Sequence, residues 1–237
     1  MLRIKWFPPS WVQIKTNGSI LYIDPSYLKK YYSKHPTNIE YTTWPDDIDG
    51  LPEKLEIANL ILLTHEHKDH CKLVTINRLS NEHTLIYGPE KCKKEIRNIV
   101  VGKIGEEIIK NDFTVKVIPS YNTVDGFAEN KVHKKGKCFG YIIQVDKLNV
   151  YHPGDSSYIP EMNDLINIDV AFIPIDGKFT MTVEEAINAS IAINPRIVVP
   201  IHDMGNADPE IFKNRLESIS NIKVQILKIG GEIDLIG

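Results

Sequence analysis

The chain has 237 residues with 28 basic and 31 acidic side chains and a formal charge of −3, so no global positive field draws it to phosphate backbones and nucleic acid is disfavoured as a partner. A hydrophobic content of 42% can supply the core of one domain over residues 1–237, while no apolar run reaches the ~18–20 residues of a membrane-spanning helix. Cys71, Cys92 and Cys138 are odd in number and widely spaced, and "MLRIKWFPPSW" lacks the apolar segment of a secretion signal, so a cytoplasmic chain with reduced thiols and no membrane partner is expected.

The first elements read as strands. "RIKWF" is followed by "WVQIKTNGSILYID", where Asn17-Gly18 between two β-branched runs predicts a hairpin. From Pro25 to about Pro52 the pattern dissolves into Tyr, Lys, Asp and Pro, which places a loop or small cap at 26–54. "ANLILLT" is a continuous apolar run of the kind buried on both faces, and it ends directly at His65. A helix over Leu73 to Leu79, a strand "TLIYG" and a helix from Pro89 through Lys91 to Asn98 follow.

Between Val100 and Val150 the signals are mostly β, with "FTVKVIPS", "CFGYIIQV" and "LNVYH" as strands and "YNTVDGFAENKVHKKGK" as a polar loop. The last third alternates: a strand "DVAFIPI", a helix opened by the capping box Thr182-x-x-Glu185, a strand "RIVVPI", a helix from Pro209 to about Ser218, then strands "KVQILKI" and "EIDLI". Two β-rich blocks, each followed by helices, predict two sheets packed face to face with helices outside.

The densest chemistry is "ILLTHEHKDHC", Ile61 to Cys71, which gathers three of the eight histidines and an aspartate into six positions. Residues two apart on an extended backbone point the same way, so His65 and His67 can offer imidazoles to one ion. Asp69 and His70 follow where the chain turns and can face a second. Imidazole with carboxylate is a ligand set for Zn²⁺, with Mn²⁺ or Fe as alternatives, and two adjacent ions sharing a hydroxide would give a nucleophile at neutral pH. The helical H-E-x-x-H zinc motif is excluded, because the fifth position is Asp69 and a strand leads in. Two more apolar strands end in candidate ligands, "LNVYHPGDSSY" at His152 and Asp155 and "RIVVPIHDMG" at His202 and Asp203, and functional groups in α/β architectures gather at such strand ends. His152 is read as orienting the turn that carries Asp155, and Asp203 as doing the same for His202.

"THEHKDH", "YHPGD" and "VVPIHD", in this order, resemble the metallo-β-lactamase superfamily of binuclear metallohydrolases over nearly the whole chain. "YHPGDSSYIPEM", "IDVAFIPIDGKFTMTVEEAINAS" and "PRIVVPIHD" are further similar to its branch of metal-dependent hydrolases related to L-ascorbate-6-phosphate lactonase. The resemblance implies an α/β fold, an αββα sandwich of two mixed sheets, with His65 and His67 serving the first ion, Asp69, His70 and His202 the second, and Asp155 bridging them.

One departure stands out. Where the superfamily places a third histidine for the first ion, this chain has "VIPSYNT". Some branch members resemble it there, with a Tyr-Asn pair followed by a histidine before a lysine and glycine, as in "VHKKG". His133 is therefore the candidate third ligand, or else contacts substrate, or is an exposed loop histidine. Asn122 and Lys134 are candidate substrate contacts, Lys134 as a positive charge for an anionic group. Cys71 is expected to be a small packing residue.

The resulting expectation is an enzyme that hydrolyses an ester, lactone or phosphoester small molecule with a metal-bound hydroxide, Asp69 orienting the water. The competing readings are a di-iron redox protein of the same fold and a non-catalytic metal-binding protein. A homo-oligomer is compatible with either.

Overall fold

The computed structural model describes residues 1–28 and 55–235. The loop or cap expected at 26–54 lies outside them apart from Ser26, Tyr27 and Leu28, which are buried.

The first sheet contains β1 (Leu2–Phe7), β2 (Trp11–Lys15), β3 (Ile20–Ile23), β4 (Leu60–Leu62), β5 (Leu85–Gly88), β6 (Val100–Val101) and, from the end of the chain, β14 (Glu232–Leu235). Its order is β14-β1-β2-β3-β4-β5-β6. Pairing is antiparallel from β14 to β3 and parallel from β3 to β6, so the sheet is mixed. The Asn17-Gly18 hairpin forms as expected: Lys15 faces Ile20, and the Thr16 N–H donates to the Ser19 carbonyl at 2.9 Å.

The second sheet contains β7 (Glu107–Lys110), β8 (Phe113–Ser120), β9 (Cys138–Val145), β10 (Leu148–His152), β11 (Val170–Pro174), β12 (Ile197–Ile201) and β13 (Lys223–Val224), in the order β13-β12-β11-β10-β9-β8-β7. β8, β9 and β10 pair antiparallel in turn, and β10 to β13 run parallel. β8 therefore points the same way as β10, β11 and β12. The carboxyl ends of these four strands share one edge of the sheet, and Asn122, Asp155, Asp176 and His202 all follow them.

Three α-helices accompany the sheets among the described residues: α1 (Leu73–Leu79), α2 (Val183–Ile193) and α3 (Pro209–Ile219). The Thr182 hydroxyl caps α2 by accepting from the Glu185 N–H at 3.2 Å. The reciprocal half of the capping box is absent, because the Glu185 carboxylate accepts instead from the Tyr158 and Phe127 N–H groups. Asn194, left-handed at φ 49°, ends this helix. α3 starts with Asp208 as cap and Pro209 in its first turn.

Two sequence expectations change. The helix from Pro89 to Asn98 is only a 3-10 turn at Glu90–Lys94, in which Cys92 is the sole buried residue. Cys92, Ile96 and Ile99 reach the core from this short turn and the segment after it, so their burial does not require a continuous helix. "KVQILKI" contributes only the two residues of β13.

Contacts group the chain into two compact units, one of Met1–Gly102, Ile109–Phe113 and Leu227–Gly237, the other of Lys103–Ile108 and Thr114–Ile226. The first has a core including Phe7, Trp11, Tyr22, Ile61, Leu63 and Ile76, with Cys71 and Cys92 among them. Cys71 thus packs as a small apolar residue, and all three cysteines are buried free thiols. The second packs Tyr151, Ile173, Met181, Ala186, Ile193, Phe212 and Leu216. Burial of each large side chain stabilises by about 1.5–3 kcal/mol, which secures the strands whose ends carry the polar groups. No helix among the described residues is long and apolar enough to cross a membrane.

Candidate metal centre

In the first unit the candidate ligands leave β4 through Leu63 and Thr64 and enter a turn in which the His70 and Cys71 N–H groups both donate to the His67 carbonyl. His65 and His70 are fully buried, and their ring centroids stand 4.1 Å apart. His65 Nε2 lies 3.0 Å from His67 Nδ1, a spacing that a hydrogen bond and a shared ion both satisfy. Asp69 Oδ2 lies 3.9 Å from His70 Nε2.

Asp24, which sequence reasoning missed, organises this group. Its Oδ1 accepts the Thr64 N–H at 2.7 Å, and its Oδ2 accepts the Thr64 hydroxyl at 2.6 Å and His70 Nδ1 at 2.7 Å. A carboxylate only accepts, so the Thr64 hydroxyl proton points at Asp24 and its oxygen must accept from His65 Nδ1, 2.9 Å away. Both His65 and His70 therefore carry their proton on Nδ1 and keep Nε2 as a lone pair. Asp24, His65 and His70 offer atoms within 4.8 Å of one another. With three donors on its two oxygens, Asp24 fixes the orientation of His70 directly and of His65 through Thr64. It also adopts a left-handed φ of 48°, a conformation that costs a non-glycine residue roughly 1 kcal/mol and tends to mark functional positions.

In the second unit Asp155 follows β10 through a tight turn, where Gly154 has φ 64° and its N–H donates to His152 Nδ1 at 3.1 Å. His152 thus orients the turn, as expected. Asp155 Oδ2 stands 3.4 Å from His133 Nε2 and 3.4 Å from His202 Nε2, and all three side chains are almost fully buried. His133 is therefore no exposed loop histidine.

Asn122 holds that ring. Its Nδ2 donates to the Phe179 carbonyl at 2.9 Å, which turns Oδ1 toward His133, where it accepts the backbone N–H at 2.9 Å and Nδ1 at 3.1 Å. Asn122, expected to touch substrate, is half-buried and orients His133 through its amide. Lys134 is exposed beside it.

His202 follows β12 with a left-handed φ of 52°. The aspartate facing it is Asp176, not Asp203: Asp176 Oδ2 lies 3.2 Å from His202 Nδ1, at an angle short of a linear hydrogen bond, whereas Asp203 accepts from the Gly205 N–H. Burial pushes the Asp176 carboxyl up, but contact with His202 and donors from Phe179 and Thr180 outweigh it and hold the group below its ordinary range. Asp24 and Asp176 both end short apolar strands, so the strand-end rule that singled out Asp155 would have found them had it been applied throughout.

Both rings flanking Asp155 thus have Nδ1 turned to an acceptor, Asn122 or Asp176, and present Nε2 to a carboxylate oxygen. Three electron-rich atoms converging in a buried place require a cation or an added proton between them. On a tetrahedral ion with ligands about 2.0–2.1 Å away, neighbouring ligand atoms stand about 3.3 Å apart, close to the spacing found here. The donor set fits a divalent metal.

A family model described as a β-lactamase superfamily domain matches residues 3–202. A metal-dependent hydrolase of Pyrobaculum neutrophilum is 29% identical over 253 aligned residues, covering 99% of this chain and 100% of that protein. One from Pyrococcus horikoshii is 34% identical over 204 residues, covering 78% and 84%. The crystal structure of a protein described as a candidate metal-dependent hydrolase from Parabacteroides distasonis superposes with a TM-score of 0.77 at 30% identity, covering 95% of this chain and 92% of that one. Two mixed seven-stranded sheets are thus the metallo-β-lactamase fold class expected from the sequence.

Proposed function

The chain belongs to the β-lactamase superfamily, and from that premise we propose that it is a metal-dependent hydrolase of an ester, lactone or phosphoester small molecule, with a binuclear centre. The observation that carries this reading is the approach of His133 Nε2 and His202 Nε2 to one oxygen of Asp155 with both Nδ1 atoms turned to acceptors. In this reading His65, His67 and His133 hold one ion, Asp69, His70 and His202 the other, and Asp155 serves both. Nitrogen and carboxylate donors suit Zn²⁺ best, with Mn²⁺ or Fe as alternatives. When bound, the ions supply Lewis acidity toward the oxygen that gains charge and ease deprotonation of water at neutral pH.

The chain's own groups do the rest. Asp24 and Thr64 keep His65 and His70 in the Nδ1–H tautomer, and Asn122 does so for His133. Asp69, whose side chain is 22% exposed, remains within reach of water and orients the attacking molecule. Lys134 supplies a positive charge for an anionic substrate group. Residues 1–237 act as one catalytic domain in the cytoplasm.

The test is a panel of lactones, phosphodiesters, thioesters and amides offered to metal-loaded protein, with Asp69→Ala and Asp155→Ala alongside. Turnover of one ester or phosphoester class should fall by about 10²-fold or more in each folded variant. Equal turnover by wild type and both variants, or bound metal without turnover of any class, defeats the proposal.

A further inference from the structure

We propose that the turn from Asp176 to Thr180 is a common anchor for His133 and His202, so that one short segment sets both imidazoles flanking Asp155. Calling these imidazoles ligands rests on the proposed metal centre; the anchoring itself rests on the hydrogen bonds of the turn and on the 3.2 Å approach of Asp176 Oδ2 to His202 Nδ1.

The turn uses its two sets of backbone groups in different directions. Its N–H groups point inward: Asp176 Oδ1 accepts from the N–H of Lys178 at 3.0 Å, of Phe179 at 3.0 Å and of Thr180 at 2.9 Å, and from the Thr180 hydroxyl at 2.8 Å. Four donors on one oxygen fix the plane of the carboxylate, and the remaining oxygen stands 3.2 Å from His202 Nδ1.

Its carbonyls serve the loop that carries His133. The Gly177 carbonyl accepts the Glu129 N–H at 3.1 Å, the Lys178 carbonyl accepts the Asn130 N–H at 2.7 Å, and the Phe179 carbonyl accepts Asn122 Nδ2 at 2.9 Å. Three successive carbonyls thus hold the His133 loop at Asn122 and at Glu129 and Asn130. The last of them aims Asn122 Oδ1 at the ring, and the Asn122 N–H closes the arrangement by donating to the His133 carbonyl at 2.8 Å. Gly177 sits at φ 68°, a left-handed position that glycine occupies without strain, and its N–H reaches the Met181 carbonyl at 3.0 Å to close the turn.

Removing the Asp176 carboxylate therefore does two things. It takes the acceptor from His202 Nδ1, and it frees the N–H groups whose inward bonds hold the Gly177, Lys178 and Phe179 carbonyls in place. The effect reaches His133, which Asp176 does not touch. An isosteric Asp176→Asn change separates the two, because its amide oxygen can still gather the turn's N–H groups while its amide nitrogen cannot accept from His202.

The experiment reads the side-chain nitrogens of His133 and His202 by ¹⁵N NMR in metal-free protein, at a pH where both rings are neutral, with metal affinity measured separately by competition with a chromophoric chelator. In the wild type both rings should be Nδ1–H tautomers. Asp176→Asn should change His202 alone, Asn122→Ala should change His133 alone, and Asp176→Ala should change both. Thr180→Val, which removes one of the four donors, should give the two-ring response in smaller size and keeps the test decisive if Asp176→Ala does not fold. Affinity should fall about 10–100-fold for one ion in Asn122→Ala and for both in Asp176→Ala.

A response confined to His202 in Asp176→Ala, or in Thr180→Val if that variant alone folds, overturns the anchor while leaving the metal centre standing. The stated tautomer pattern in a protein that binds no metal sustains the anchor and defeats the metal centre.

Discussion

Replacing Asp24 by alanine removes the acceptor of three fully buried donors, the Thr64 N–H, the Thr64 hydroxyl and His70 Nδ1–H. The backbone N–H cannot reorient, and leaving it unsatisfied costs about 1–3 kcal/mol. The other two bonds are charge-assisted, about 1.5–3 kcal/mol each, part of which is recovered by hydroxyl rotation and by moving the His70 proton to Nε2. Alanine also tolerates φ 48° less well than aspartate, which adds about 1 kcal/mol. The expected loss is about 3–6 kcal/mol, a large fraction of the ~5–15 kcal/mol that holds a domain folded. Urea unfolding of metal-free protein followed by circular dichroism measures it. Asp24→Asn, which keeps one oxygen for the Thr64 N–H, should lose less than the alanine variant. An Asp24→Ala protein within about 1 kcal/mol of the wild type would refute the clamp assigned to this carboxylate.

Three further outcomes follow from the geometry. Chelator treatment of metal-loaded protein should lower the melting temperature by about 5–10 °C, since metal at 100 times its Kd contributes about 2.7 kcal/mol and a chain of this size shifts about 2–4 °C per kcal/mol; no shift would count against a resident metal. Gly88→Ala should destabilise by about 1–3 kcal/mol, because its Cβ would meet Leu63 Cβ at 2.9 Å and the Leu63 carbonyl at 3.0 Å, and neither can move without displacing the backbone that leads to His65; thermal unfolding reads this directly. Burial pushes the Glu66 carboxyl up, but the Lys91 partner outweighs it and holds the group low in the folded state. Its contribution is thus present above the unfolded value of about 4.3 and is lost as pH falls through the folded one, so Glu66→Gln should weaken the protein at about pH 6 and progressively less as the pH is lowered in urea titrations.

Local pattern by itself determined the strands, the hairpin and the helix at Leu73–Leu79, because alternation, an Asn-Gly turn and apolar spacing are properties of neighbouring residues. It also singled out His65 and His67 as a pair, although they lie in the irregular chain and bend beyond β4 and not on an extended strand, and it marked Asp155 and His202 by their place after apolar runs. Pattern misjudged the segment after Pro89, which buries Cys92, Ile96 and Ile99 from a short 3-10 turn and the irregular chain beyond it. What only the tertiary structure decided is which polar groups face one another. Asp24 meets His70 across 46 positions, and Asp176 meets His202 because β11 and β12 are parallel neighbours whose carboxyl ends share an edge. The proton on each imidazole is set by such partners, and no sequence spacing records a contact that forms only when separate strands end side by side.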